Sequence, residues 1–255
     1  MVVNIVAKSL LDFRGKWNET EPNKASLNKI AKTIKTIKPG TVIRLGSMTD
    51  CFQSLEKIHK TTYETIKLLN WYKVHYLIVT KSDLVANPEY LEIYNKELAH
   101  FQISITSTDS KKSQSIENAP LPNKRILAAE KLQNLGFDIS VRLSPYIEGF
   151  INFNTINSIK CNKILIEFLK VNHWVRKWLN IDYSKYTLSF GGYYHLQLEE
   201  KKRIVKLITG FNEVSVGEYV FEHHEYFKQN VNFNKSDCCN LTLRKRDNFV
   251  QQTLF

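Results

Sequence analysis

The sequence is poor in cysteine, proline and glycine. Its four cysteines (Cys51, Cys161, Cys238, Cys239) are too few to staple 255 residues, and the adjacent pair does not readily bridge. A disulfide scaffold is thereby excluded. The usage suits a reducing compartment, so the expected location is cytoplasmic. Nine Gly and six Pro rule out a collagen-like or Pro/Gly low-complexity chain. No apolar run approaches the ~18 residues of a membrane span, and no membrane partner is expected. Met1 to Leu11 alternates apolar and polar residues around Lys8, the pattern of a strand rather than a signal peptide. A Walker phosphate loop, GxSxG, GxGxxG and HExxH are all missing.

What is present is an ordinary globular mix, with 43% hydrophobic and 24% charged residues, which excludes wholesale disorder. The formal charge of +11 favours a polyanion partner (DNA, RNA or a phosphorylated ligand), with a solvated basic surface as the competing reading.

Along the chain, short apolar runs alternate with helical periodicity. Strands are expected at Val2–Ala7, Thr41–Leu45, Val74–Val79, Phe101–Thr106, Ile139–Leu143, Lys163–Val171 and Val214–Phe221. Helices are expected at Ala25–Ile37, Leu55–Leu69, Pro88–Leu98, Asn123–Leu135 and Leu198–Ile208, with a Trp-rich one ending at Leu179. Ser107–Asn118 is polar and reads as the longest loop. Repeated βα units imply an α/β fold with a parallel sheet, either a (βα) barrel or a doubly wound sheet. No linker is evident. Residues 1–240 read as one domain, with 241–255 as a basic C-terminal extension.

In (βα) barrels the chemistry sits at the carboxyl ends of the strands. That rule selects Gly46-Ser47-Met48-Thr49-Asp50-Cys51, then Thr80-Lys81-Ser82, Ser104-Ile105-Thr106-Ser107-Thr108-Asp109 and Ser144-Pro145-Tyr146-Ile147-Glu148-Gly149. Small and polar residues gather at each.

In this order the segments resemble the radical S-adenosylmethionine (radical SAM) superfamily, in its spore photoproduct lyase-like branch. The residues that carry the resemblance are Thr49-Asp50-Cys51-Phe52-Gln53 with Glu56, Thr80-Lys81-Ser82, Ser104-Ile105-Thr106, Glu117-Asn118-Ala119-Pro120-Leu121-Pro122 with Arg125, and Pro145. It spans residues 1 to 240.

The resemblance implies a partial parallel (βα) barrel that binds S-adenosylmethionine. Its cofactor-binding residues would be Gly46, Ser47, Thr49, Asp50, Lys81 and Ser104. Lys81 would meet the ligand carboxylate, Ser104 would offer a hydroxyl, and Gly46 to Thr49 would receive the amino group. Glu56 is a further polar anchor, with simple helix capping as its alternative. Cys51 is a weak catalytic candidate. The cysteine that donates hydrogen in this branch aligns with Met48, so a buried, inert thiol is the competing reading.

The family's CxxxCxxC loop, which holds a [4Fe–4S] cluster, has no counterpart among the four cysteines. The first strand and cluster loop are therefore expected to be missing, and no metal ligand is assigned. The implied activity is lyase-type repair of a DNA lesion by 5′-deoxyadenosyl radical chemistry, with the cluster supplied by a separately encoded segment. The alternative is a non-catalytic barrel that binds S-adenosylmethionine or nucleic acid.

Two other features are notable. His173-Trp174-Val175-Arg176-Lys177-Trp178 and Arg244-Lys245-Arg246 interleave or cluster cations as nucleic-acid surfaces do, with a core-facing Trp stripe as the alternative for the first. Glu222-His223-His224-Glu225 lacks the spacing of a zinc site. Gly191 to His195 reads as a late loop over the barrel mouth.

Overall fold

The computed structural model describes residues 26–38, 40–46, 49–237, 239, 241 and 251–253. The expected strand Val2–Ala7 and the basic run at Arg244 lie outside them.

Strands β1 (Val42–Leu45), β2 (His75–Thr80), β3 (Ala99–Ser104), β4 (Asp138–Tyr146), β5 (Lys163–Phe168) and β8 (Glu213–Gly217) pair side by side, all parallel. The sheet order is β8-β5-β4-β3-β2-β1, followed at the edge by β9 (Gln251–Thr253), and its two ends do not meet. The architecture is a partial, open (βα) barrel. The short β9 (Gln251–Thr253) comes from the tail and pairs parallel with β1 at the outer edge. Strands β6 (Leu188–Phe190) and β7 (Tyr193–His195) form a separate antiparallel hairpin turning at Gly191-Gly192.

Alternation along the strands explains both faces of the sheet. Ile43, Ile78, Phe101, Val141 and Ile166 point one way and join the main core with helix residues such as Ile66, Ala129 and Leu132. The residues between them are largely polar: Arg44, Gln102, Ser140, Arg142 and Glu167. Val42, Leu77 and Val79 form an apolar island on that second face, and Leu241 covers it. The amide of Gln102 donates to the Cys239 carbonyl at 2.8 Å, tying the tail to the same face.

At the amino ends, one residue from each of five neighbouring strands joins a transverse network. His75 Nδ1 and His100 Nε2 are 3.2 Å apart, and His100 Nδ1 lies 2.6 Å from Asp138. Lys163 Nζ then reaches Asp138 at 2.7 Å and Glu213 at 3.6 Å. Burial pushes the Asp138 carboxyl up, but His100 and Lys163 together hold it well below the usual carboxylate range.

Several elements differ from expectation: Gly191 to His195, expected as a loop, includes the strand Tyr193–His195, and the strand expected over Val214–Phe221 ends at Gly217. The helix expected over Leu55–Leu69 is two, Glu56–His59 and Thr61–Trp71, with Lys60 between them at φ +51°. The Glu56 carboxylate accepts from the Thr62 and Tyr63 backbone N–H groups, starting the second helix afresh. The polar stretch expected as a loop holds a helix, Ser110–Ile116, capped by the Asp109 side chain on Lys112 N–H. The helix after Pro88 stops at Leu91, and Asn95 folds the chain back by accepting from Glu97 N–H.

Candidate functional site at the carboxyl ends of the strands

The loop after β1 is tied to the end of β2 by Asp50. One carboxylate oxygen accepts from Phe52 N–H (2.9 Å) and Thr80 Oγ1 (2.7 Å), and the other from Lys81 N–H (2.7 Å). Those three donors make Asp50 the joint between two strand ends, a positioning role. Gly46 makes the approach possible. Its φ is +85°, and a Cβ there would stand 2.1 Å from the Val79 carbonyl oxygen. No other residue fits without moving the backbone. Thr49 is exposed beside this joint. Ser47 and Met48 lie outside the described residues.

The chain leaves β2 at Lys81, which is 6% exposed. Its Nζ is 2.7 Å from Glu117 Oε2, an ion pair that engages one of the three ammonium donors and leaves the others for further partners. Glu117 is fully buried. Its other oxygen accepts from Thr106 Oγ1 (2.6 Å) and Ser113 Oγ (3.0 Å) and forms an ion pair with Arg125 Nη2 (2.5 Å). Burial would raise its carboxyl, but Lys81 and Arg125 outweigh that and bring it to about 2. Burial likewise lowers the Lys81 ammonium, and Glu117 offsets part of the effect. Arg125, on the helix Pro122–Asn134, also donates to the Pro120 and Ser104 carbonyls. The cluster thus clamps that helix to the ends of β2 and β3.

Gly46, Asp50, Lys81 and Ser104 therefore come together at one edge of the sheet. Ser104 is buried at the end of β3, on the face it shares with Gln102. Cys51 is half-buried. Its Sγ would be 3.7 Å from a Cβ on Gly46, and its carbonyl accepts from Thr62 Oγ1. Burial, with the Asp50 and Glu56 carboxylates nearby, pushes the thiol well up. Glu56 is a cap and also accepts from Tyr90 Oη at 2.9 Å, matching the capping alternative.

Further along the edge, Arg142 and Ser144 of β4 both donate to Glu167 of β5; Ser144 opens one of the strand-end segments named above, while the sequence pattern does not single out Arg142 and Glu167. Their only signal was the charge inside two apolar strands. Next to them lies a surface rich in aromatic rings and cations. Trp174 and Trp178 stack with centroids 5.6 Å apart, and Lys177 Nζ sits 5.7 Å over Trp174. The Arg176 guanidinium lies between Tyr183 (4.7 Å) and Tyr194 (5.5 Å). Both Trp rings are half-buried, and Trp178 packs against the core beside Val175 and Leu179, as the core-facing alternative has it for that ring.

Several solved structures share this fold. One is a spore photoproduct lyase point mutant, with TM-score 0.57 and 16% identity, covering 76% of this chain and 65% of that one. The fold is that of the radical SAM barrels. A second lyase mutant, with dinucleoside spore photoproduct, gives TM-score 0.52 at 16% identity, over 82% of this chain and 64% of that one. Streptococcus suis SuiB bound to S-adenosylmethionine gives TM-score 0.52 at 12% identity, over 92% and 53%. The chain thus spans a little under two thirds of the length of the lyases it resembles. No sequence-family description and no curated protein matches the chain.

The residues fit the two implied groups differently. For S-adenosylmethionine, Lys81 offers a buried ammonium with donors beyond its ion pair, while the side of Gly46 that lacks a Cβ is taken up by Val79. For a [4Fe–4S] cluster, no three His, Cys, Asp or Glu side chains among the described residues are placed to hold a metal ion. Cys51 and Cys161 sit in separate parts of the core, so the described residues do not fit a cluster. No helix among them is long and apolar enough to cross a membrane.

Proposed function

We propose that this chain is the ligand-holding part of a radical SAM-type protein. It binds S-adenosylmethionine at the carboxyl edge of β1 to β3. Lys81 faces the ligand carboxylate, Ser104 offers its hydroxyl, and the Gly46 to Thr49 loop receives the amino group. The observation that carries this reading is Lys81, a buried ammonium at a strand end with donors unused by its ion partner.

Lyase-type repair of a DNA lesion belongs to the same reading. The net charge of +11 and the Trp174–Arg176–Tyr194 surface supply cations and stacking faces suited to a polyanion. That activity depends on a cluster-bearing segment beyond the described residues. A second reading is a non-catalytic barrel that binds S-adenosylmethionine or nucleic acid, since no group placed to hold a metal occurs among the described residues.

Calorimetric titration with S-adenosylmethionine tests the site. Wild type binds, and Lys81→Met weakens binding by about 1.5–3 kcal/mol, the scale of a hydrogen bond to a charged group. A melting curve confirms that the variant is folded. No binding by wild type overturns the reading, and equal affinity in both removes Lys81 from the site. Iron and sulfide analysis after anaerobic purification, with and without any separately encoded segment, distinguishes the enzyme from the non-catalytic barrel.

A further inference from the structure

The far end of the carboxyl edge holds a second buried ionic cluster, which the ligand reading does not use. Lys201, on the helix Leu198–Lys206, is wholly buried. Its Nζ lies 2.6 Å from Glu218 Oε2 and 3.0 Å from His223 Nδ1. Glu218 follows β8 directly. Its other oxygen accepts from Tyr219 N–H (2.8 Å) and Val220 N–H (3.0 Å), just before the helix Phe221–Asn230 begins. Lys201 therefore holds Glu218, and Glu218 holds the backbone that carries Tyr219.

Tyr219 is half exposed on the rim and touches several elements. Its ring stacks on His195 of β7, with planes 14° apart. Lys170 Nζ lies 4.1 Å over it, and Phe190 of β6 meets it edge-on. The hairpin turn packs so closely that a Cβ on Gly191 would stand 2.6 Å from the ring. The position of Tyr219 thus sets the position of the hairpin on the rim.

We propose that Lys201, Glu218 and His223 form an acid-sensitive latch that fixes Tyr219 on the carboxyl rim. The reason is the proton count. A lysine ammonium only donates, so Nδ1 of His223 accepts and the neutral ring carries its proton on Nε2. A second proton on His223 must sit on Nδ1, facing the ammonium across 3.0 Å. One carboxylate, already accepting three donors, would then serve two cations.

The other titratable groups facing the cluster are His195 on β7, Glu222 on the helix of His223, and Lys170 after β5. Burial first and Lys201 next hold the His223 ring below its ordinary value, with a smaller push from His195, against the opposing pull of Glu218 and Glu222. A histidine held down in this way stabilises the closed state fully above its free value, about 6.5. The contribution falls as acid protonates the open form. His195 keeps its own bond under protonation, because its Nε2 donates to the Phe190 carbonyl and Nδ1 is not needed for it. His223 is the group that trips the latch.

Amide exchange across pH tests this without any ligand. Protection factors of the Tyr219 and Val220 amides should fall by about tenfold or more between pH 7.5 and 5, a factor that corresponds to about 1.4 kcal/mol. In His223→Asn, the side-chain oxygen can still accept from Lys201 but does not titrate, so protection should stay level. The same acid loss in His223→Asn as in wild type overturns the latch, and so does unchanged protection in wild type. Should His223→Asn fail to fold, nitrogen NMR of the wild-type ring decides. A neutral Nε2–H tautomer at pH 7.5, with a titration midpoint coinciding with the loss of protection, supports the latch. A ring already charged at pH 7.5, or a midpoint apart from that loss, overturns it.

Discussion

Lys81 and Glu117 stand 36 residues apart in sequence and 2.7 Å apart in space, both buried where β2 and β3 end. Their contact binds a strand end to the segment before the helix Pro122–Asn134, and Arg125 completes it from that helix.

Removing the carboxylate leaves two buried cations without a counter-charge. Glu117→Gln should lower stability by about 3–5 kcal/mol in urea unfolding. The pH dependence has a definite sign. The carboxyl is held at about 2 in the folded chain, below its ordinary value. Its contribution is therefore complete above about 4.5 and is lost as pH falls towards 2. Wild type should lose about 3 kcal/mol across that window through this group, and Glu117→Gln should lack that part of the slope.

Two glycines with similar backbone angles should respond differently to the same change. Gly46→Ala drives a Cβ into the Val79 carbonyl and should cost well over about 2 kcal/mol. Gly192, at φ +79°, has nothing within 4 Å of a built Cβ. Gly192→Ala should cost only the left-handed penalty, about 1–2 kcal/mol. Thermal melts of both variants compare them, and equal losses would show that the β1 loop does not need its close approach.

Asp50→Asn replaces an acceptor of three hydrogen bonds with a group that can turn an N–H towards Lys81 N–H. The expected loss is about 2–4 kcal/mol, since hydrogen bonds to a charged group are worth about 1.5–3 kcal/mol each and are not additive. Chemical denaturation measures it. A loss under about 0.5 kcal/mol, the range of an ordinary surface change, would rule out the joint.

The Cys51 thiol should resist alkylation in the native chain at pH 8, because burial and two neighbouring carboxylates oppose the thiolate. Iodoacetamide labelling followed by mass spectrometry reads this at the peptide level. Rapid native labelling of Cys51 would restore it as a reactive candidate.

The strands were the legible part of the fold. TVIRL, HYLIVT and KILIEF are apolar runs bounded by turn residues, and a strand covered on one face and lined on the other reads that way. The helix Ser110–Ile116 was hidden because its sequence, SKKSQSI, is almost wholly polar. What makes it helical is the Asp109 cap and the burial of Ser113 against Glu117 and Arg125, contacts that no local pattern reveals. The same holds for the edge of the sheet. Its short motifs were visible at the strand ends, but not that Asp50 would be used up on backbone, nor that Glu117 would meet Lys81. The Lys201–Glu218–His223 cluster joins two helices and a strand end, and nothing in the spacing of those residues announces it.

The pairing of β9 with β1 bears on how the chain matures. Residues 251–253 complete an edge whose other strand was made about two hundred residues earlier. At the common synthesis rate of roughly 5–20 residues per second, β1 waits on the order of ten seconds or more for that neighbour. Through that interval β9 is not there to pair with it, and an unpaired edge is a template for any passing strand. Crowded expression should therefore favour aggregation through β1, and slower synthesis prolongs the hazard rather than relieving it.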